Sequence, residues 1–506
     1  MLSLSVNGQT TFFYNYEAPM GNEPKKTVIL PGGDLMTGGR TSSFGAGAAD
    51  ILLVKTDTAG NLHWSKTIGT AGDEGISSMI VTSTNQIAAL SDFGGQYHSF
   101  FLFDTAGNTL VQRTFFMDAL PYNQTGNIVE LASGNFLICT NTGDGVALVN
   151  LSSSGATNWT QYHTLTISPA PYMSYANATE LSNGNIAIIF NISFGSLPHG
   201  EIVLLITDNL GNYLSSKRYS STVDLASLRI YTSLVTGDLY VGATGNSSRF
   251  FLMKLDDSGN IRWSKSYQTT FMPYANTYDI VFNPFMDEFA VLGGPGSGGF
   301  EVVRFDSSGN FMWSQSGTAF NQAPVSILGD QIGAIIVTGF SPSPTTSYVN
   351  QFLCRYLPDG TRCNSPANTL VNPESYTATA ASASFTTNPT FTLTDSIVTF
   401  ITQTQVLDRI VSCATQVGID LVEKDDLFTL NSNIISNELQ INTSNVFNTT
   451  DEIRVQDISG RVVTKFYPQT GTFECSMNLS SLANGHYILS LRRDGRVVSR
   501  RFVVAR

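Results

Sequence analysis

The sequence predicts an all-β protein, built from a repeated four-stranded unit and finished by a small Ig-like β-sandwich. Three observations predict it. The first is composition: 42 % of the 506 residues are hydrophobic, 13 % are charged, and glycine numbers 44. Charged residues at about half the usual share, with Thr, Ser and Asn crowding the rows, suit short strands and tight turns. Turn residues must tolerate positive φ or bond their own backbone. The second is a glycine turn recurring about every fifty residues, and the third is period-two alternation from residue 427 to the end.

The turn has four near-identical copies: Asp57-Thr-Ala-Gly-Asn61, Asp104-Thr-Ala-Gly-Asn108, Asp256-Asp-Ser-Gly-Asn260 and Asp306-Ser-Ser-Gly-Asn310. Weaker copies are Ser152-Ser-Ser-Gly-Ala156, Asp208-Asn-Leu-Gly-Asn212 and Leu357-Pro-Asp-Gly-Thr361. The glycines at 60, 107, 155, 211, 259, 309 and 360 lie 47, 48, 56, 48, 50 and 51 residues apart. Each turn follows an apolar run such as Ile51-Leu-Leu-Val, as a hairpin connection requires. All four tryptophans, Trp64, Trp159, Trp263 and Trp313, fall four residues beyond a repeat glycine. A strand with a large ring at a fixed point is thus part of the unit.

A second landmark precedes each turn, a polar turn entering an apolar strand, as in Gly32-Gly-Asp-Leu-Met and Thr236-Gly-Asp-Leu-Tyr-Val. Each unit therefore holds two hairpins. Four strands in about 50 residues, repeated around an axis, make a β-propeller. The apolar runs alternate poorly because both faces of such a sheet are covered.

The ends set the blade number. The N-terminus carries Asn7-Gly-Gln9 and then Phe12, again an aromatic four residues past a glycine. It reads as an orphan outer strand, Thr10 to Tyr16. The last unit lacks one, since Asn364 and Pro366 follow Gly360. Seven blades closed by the N-terminal strand satisfy both ends and leave no exposed edge. The expected division is a propeller over 1–363, a β-rich connector and linker over 364–426, and the C-terminal module over 427–506. Cys363 and Cys413 flank the connector, and a bridge between them would close a loop of about 50 residues, contributing on the order of 3 to 4 kcal/mol. Cys139 and Cys354 sit within apolar strands as core residues, and Cys475 is expected to be free.

The C-terminal strands, among them Glu438-Leu-Gln-Ile-Asn and His486-Tyr-Ile-Leu-Ser-Leu, alternate as in an antiparallel sandwich. Three runs there carry a resemblance: Ile453-Arg-Val-Gln-Asp-Ile-Ser-Gly-Arg-Val-Val463, Leu479-Ser-Ser-Leu-Ala-Asn-Gly-His-Tyr-Ile-Leu-Ser-Leu491 and the terminal Arg500-Arg-Phe-Val-Val-Ala-Arg506. In order and at the end of the chain, they resemble the type A C-terminal sorting domain of substrates of the type IX secretion system of Bacteroidetes. The matching positions are Asp457, Gly460, Leu482, Gly485, Tyr487, Arg501 and Phe502. The family's usual Tyr-Pro-Asn-Pro opening is replaced by Phe428-Thr-Leu-Asn-Ser432. The resemblance implies passage to the periplasm on a removed signal peptide, recognition by the outer-membrane translocon and its shuttle protein, and then release or surface attachment. Charge divides the same way: from residue 425 onward there are 9 Lys plus Arg against 8 Asp plus Glu, so of the net −12 the remainder carries −13.

Other classes are excluded or lack support. An acidic chain does not suit nucleic acid, since phosphate contacts need clustered Lys and Arg. No run of 18 apolar residues exists for a transmembrane helix. Met1-Leu-Ser-Leu-Ser does not read as a secretory signal, so either the protein is cytosolic or the numbering starts after one. His63, His98, His163, His199 and His486 are scattered, and neither a zinc site, a nucleophile elbow nor a phosphate loop is visible. No cofactor is expected. The repeated Asp turns invite calcium, but each offers one or two carboxylates where calcium wants several. Candidate acids for a propeller enzyme are Asp73, Glu74, Asp118, Asp224 and Asp279, beside tyrosines such as Tyr162, Tyr172, Tyr175, Tyr274 and Tyr278. The expectation is an exported, cell-surface or secreted scaffold that binds a surface glycan or protein without catalysis. The alternatives are an enzyme acting on polysaccharide and a subunit of the secretion or surface machinery.

Overall fold

The computed structural model describes residues 10–93, 97–117, 124–166, 172–194, 200–220, 226–233, 236–245, 249–269, 275–283, 288–295, 299–316, 323–330, 333–342, 348–362, 371–375, 379–382, 385–388, 393–396, 398–416, 428–430, 434–435, 437–443, 445–457, 462–483, 485–493 and 496–504. Every regular element among them is a β-strand. Seven antiparallel sheets form the blades. Their innermost strands are Asn22–Ile29, Glu74–Val81, Gln124–Glu130, Tyr172–Glu180, Ala226–Thr232, Ala275–Asn283 and Ala323–Gly329, in blades 1 to 7. Each innermost strand packs on the next, and that of blade 1 packs on blade 7, so the ring is closed. The closure is as expected: Thr10–Glu17 supplies the fourth strand of blade 7, with Phe12 opposite Arg355 and Tyr14 opposite Leu353.

The core lies between blades. Seven apolar clusters fill the seven blade-to-blade interfaces. One strand serves two of them. In Asp50–Thr56, Ile51 and Leu53 face blade 2, whereas Leu52 and Val54 face blade 7. Hence the continuous apolar runs.

The repeated turn ties blade to blade. Within it, Asp57 Oδ1 accepts the backbone N–H groups of Ala59 and Asn61, and the Asn61 amide donates to Oδ2 at 2.7 Å. The same three bonds recur at Asp104, Asp208, Asp256 and Asp306. These carboxylates thus bond to their own turns. The tryptophan four residues on packs against the glycine of the following blade: Trp64 on Gly107, Trp159 on Gly211, Trp263 on Gly309 and Trp313 on Gly360. Phe12 and Tyr14 cover Gly60 in the same way. A Cβ at Gly107 would sit 2.5 Å from the Trp64 ring, at a φ of +75° that favours glycine anyway. Lysines on the same outer strands reach the next turn as well, Lys66 to Asn108 at 3.1 Å and Lys265 to Asn310 at 3.1 Å. Blades 2 and 4 lack the tryptophan. There Arg113 donates to the carbonyl of Gly155 and the Tyr219 hydroxyl to that of Gly259.

After blade 7 the chain encircles the propeller. Val371–Ser375 adds a fifth strand to blade 5, Thr379–Ser382 to blade 4, Phe385–Asn388 to blade 3, Leu393–Ser396 to blade 2 and Ile401–Gln405 to blade 1. Asp408–Gln416 then pairs along the outside of the N-terminal strand. The expected connector is thus a belt running backwards around the ring, every pairing antiparallel. Among the described residues blade 6 has four strands only. Side chains pin the belt: Arg113 pairs with Asp395 at 2.7 Å, the Ser65 hydroxyl donates to the Gln405 carbonyl, and the Arg409 guanidinium covers the Tyr14 ring. Cys413 stands opposite Phe13 in the last belt strand. Cys363 lies outside the described residues. Cys139 and Cys354 are buried free thiols, the latter pushed up to about 12 by burial. Cys475 is free and half-buried.

The C-terminal module is a two-sheet sandwich, one sheet of Thr429–Leu430, Glu438–Asn442 and Glu474–Asn478, the other of Ile434–Ile435, Arg496–Val504, Gly485–Arg493, Glu452–Asp457 and Val462–Phe466. Phe428, Leu439, Ile453, Leu489 and Phe502 build its core.

Candidate functional site

An innermost strand has one edge in the ladder and the other turned to the propeller axis, where its backbone groups need partners. All seven innermost strands shift register at the same place. Such a β-bulge re-aims a side chain. The residues that follow the shift are Lys26, Ser78, Asn127, Asn177, Arg229, Asp279 and Ser326, one per blade. Four of them accept a backbone N–H from the next blade. Ser78 takes that of Ile128 at 3.2 Å, Asn127 that of Ala178 at 3.1 Å, Asp279 that of Ile327 at 3.2 Å and Ser326 that of Thr27 at 3.5 Å. The ring of polar residues thereby stitches the strands around the axis.

Three members are charged and meet. The fully buried Asp279 carboxylate of blade 6 accepts from Arg229 Nε of blade 5 at 2.8 Å and from Lys26 Nζ of blade 1 at 3.2 Å. Burial alone would raise the Asp279 pKa, but the two cations and the Ile327 N–H outweigh it and hold the carboxyl below its ordinary value. Lys26 is lowered, chiefly by burial, which Asp279 offsets only in part. Over their whole side chains Arg229 and Lys26 are 31 % and 25 % exposed, while their charged ends turn to the buried carboxylate. Beside them the Tyr231 hydroxyl donates to the Ile280 carbonyl at 2.6 Å.

The other candidate acids are dispersed. Glu74 is buried at the start of the innermost strand of blade 2, bonded to Thr70, and raised above its ordinary value by burial. Asp73 lies exposed beside it. Asp118, Asp224 and Tyr274 lie outside the described residues, as does the side chain of Tyr278. Tyr162 is buried and donates to Asp144. Tyr172 and Tyr175 are 56 % and 61 % exposed on the innermost strand of blade 4, and Tyr175 holds a φ of 55° at the bulge. Strand direction puts them at the end opposite the glycine turns. Met20, Tyr97 and Tyr348, also exposed, stand at that same end. No group of His, Cys, Asp and Glu among the described residues could hold a metal. A narrow gap between blades 5 and 6, lined by Tyr240, Gly242, Ile280 and Phe289, has no room for a water molecule.

Composition hid the axial ring, because no one residue type is common to its seven members. Spacing held the signal: each is a polar residue leading into an apolar strand, at intervals of 52, 49, 50, 52, 50 and 47.

In the sandwich, Tyr487 stacks on Phe502 with ring centroids 5.7 Å apart, and its hydroxyl donates to the Ala483 carbonyl. Leu482 packs in the same core. Asp457 is paired with Tyr487, and Arg501 with Ile488, along the five-stranded sheet. Gly485 opens the strand that carries Tyr487. Gly460 lies outside the described residues. A buried ion pair, Arg493 with Asp451 at 2.5 Å, closes one end.

Residues 433–505 match the family model of the secretion system C-terminal sorting domain. No curated protein matches the chain. Among solved structures, the chain is similar to the periplasmic gluconolactonase of Pseudomonas aeruginosa, with 11 % identity over 61 % of this chain and 96 % of that one, at a TM-score of 0.44. It is similar to a protein of unknown function from Dyadobacter fermentans, with 10 % identity over 69 % and 99 % of the two chains and a TM-score of 0.37. It is also similar to Drosophila Plexin A, solved in complex with Semaphorin 1b, with 7 % identity over 69 % and 87 % and a TM-score of 0.39. Likenesses this distant bear on neither ligand nor chemistry. The C-terminal sandwich is a sorting domain of the type IX secretion class, and the chain is an exported protein built on a seven-bladed β-propeller.

Proposed function

We propose that the propeller is a non-catalytic binding and adhesion scaffold, displayed at the cell surface and taking a glycan or protein ligand at the face opposite its glycine turns. The observation that carries this reading is the gathering of Met20, Tyr97, Tyr172, Tyr175 and Tyr348 at that face, all exposed. Tyrosine offers a rigid apolar area with a polar tip, which suits sugar rings and protein surfaces alike. The axial carboxylate supports it too: Asp279, tied to two cations and held ionised, is a poor general acid. A glycan array probed with the full chain, its products followed by mass spectrometry, should give binding without cleavage. Cleaved glycans would replace the scaffold with an enzyme and turn attention to Glu74.

The sorting domain has the type IX translocon and its shuttle protein as partners in this reading, with Asp457, Gly460, Leu482, Gly485, Tyr487, Arg501 and Phe502 shaping the surface they read, after removal of a signal peptide. In the native host, deleting residues 427–506 should leave the propeller folded and held in the periplasm. Undiminished surface display of the shortened chain would defeat this assignment.

A further inference from the structure

We infer that Asp144, with Tyr172 beside it, receives an arginine side chain of a partner protein at the face opposite the glycine turns. The inference rests on the scaffold reading above and takes its protein branch. Asp144 lies in the short loop of blade 3 between Phe136–Asn141 and Gly145–Leu151, and it is exposed. Its carboxylate is held from the buried side. The Tyr162 hydroxyl donates to Asp144 Oδ1, and the Thr142 hydroxyl stands 3.1 Å from that oxygen and 2.9 Å from the tyrosine's. Burial, and then the carboxylate itself, raise the Tyr162 pKa, so the phenol keeps its proton and stays a donor. Both contacts fall on Oδ1, which fixes the carboxylate while Oδ2 takes no bond among the described residues. Nor does a cation there pair with Asp144, whereas Glu23 and Glu201 at the same face are paired with Arg40 and Arg218.

The backbone brings Tyr172 to this loop. The Met173 N–H donates to the Gly143 carbonyl at 3.0 Å, and the Asn141 amide donates to the Met173 carbonyl at 3.3 Å. The innermost strand of blade 4 therefore begins against the loop of blade 3. Asp144 follows the bonded Gly143, and Tyr172, 56 % exposed, precedes the bonded Met173. A fixed carboxylate with an unoccupied oxygen and an exposed phenol ring next to it suit a guanidinium, which donates to the one and stacks on the other. Charge selects the cation over a neutral sugar: the chain is at −12, so a basic segment is drawn towards it from a distance and a neutral ligand is not.

The test titrates the full chain with a blocked glycine peptide carrying one arginine, followed by saturation-transfer NMR. The same peptide with citrulline, of like shape and no charge, is the counterpart. The arginine peptide should bind about fivefold more tightly than the citrulline one. Asp144→Asn keeps an oxygen for the Tyr162 hydroxyl and removes the charge, so it should bring the two peptides level. Tyr172→Ala should weaken the arginine peptide about threefold. Asp257→Asn changes the net charge equally in an exposed glycine turn at the other face and should leave binding unchanged. Circular dichroism on each variant separates lost binding from lost fold, and should Asp144→Asn not fold, the arginine-to-citrulline ratio of the unaltered protein decides instead. Equal affinity for the two peptides, or equal weakening by Asp257→Asn and Asp144→Asn, overturns the inference. A glycan bound uncleaved by a chain that holds no arginine peptide overturns it too and leaves the scaffold reading standing. A glycan cleaved overturns the scaffold reading, and with it the inference that rests on it.

Discussion

A chain ended at Arg362 should aggregate or melt well below one ended at Gln416. The shorter chain keeps every blade and the N-terminal closure, so the repeat alone gives no reason for a difference. It loses the belt, however, and with it the outer pairing of six blades. Each lost backbone bond costs about 0.5–1.5 kcal/mol net, and the six strands between Val371 and Gln416 make many. The sum is comparable with the whole stability of a typical domain, about 5–15 kcal/mol. The newly bared edges are also templates for pairing with other chains. Differential scanning calorimetry of the two chains should separate their Tm values by about 10 °C or more. Matching melting curves would mean that the belt is an ornament.

Asp279→Asn should be the most damaging single substitution at the axis. It removes the carboxylate that, among the described residues, faces both Lys26 and Arg229, and leaves two cations in a solvent-poor ring. Breaking a buried pair in this way costs about 3–5 kcal/mol. The effect should depend on pH with a definite sign. The Asp279 carboxyl is held below its ordinary value in the folded protein, so its stabilisation is complete above the unfolded pKa and is lost as pH falls through the lowered native one. Urea melts of the two proteins should therefore differ most at neutral pH and converge at strongly acid pH. A constant gap at every pH would mean that the damage comes from shape and not from charge.

How legible the fold was depended on which interactions built it. The blades could be read because each needs a glycine at positive φ and a ring to cover the next blade's glycine, and Gly60, Trp64 and Gly107 stand at fixed intervals for that reason. The closure could be read because Phe12 occupies a tryptophan's place. The belt could not. Its strands, four to nine residues long, bind through backbone groups at the rim, and side chains such as those of Ile401–Gln405 are mostly exposed. Nothing there demands an apolar period, so the segment reads only as a β-rich connector, with no sign that its strands run around the ring. The charged trio at the axis was legible only in part. Asp279 stands among the candidate acids, though expected on a loop and found within an innermost strand, but Lys26 and Arg229 come from other blades, and only the ring brings them to it.

The belt also sets the order in which the molecule can be finished. Phe12 finds one neighbour in Arg355 and the other in Ala414, which lie 343 and 402 residues downstream. The strand Thr10–Glu17 therefore waits for chain made far later before it is satisfied on both sides, and blade 7 is assembled from three far-separated pieces of chain. Contacts of such long range are slow to form, since the loop they close must be ordered before they reward it. Until residue 416 has emerged, the outer rim of blade 7 stays open, and the native ring is a late event in the life of the chain.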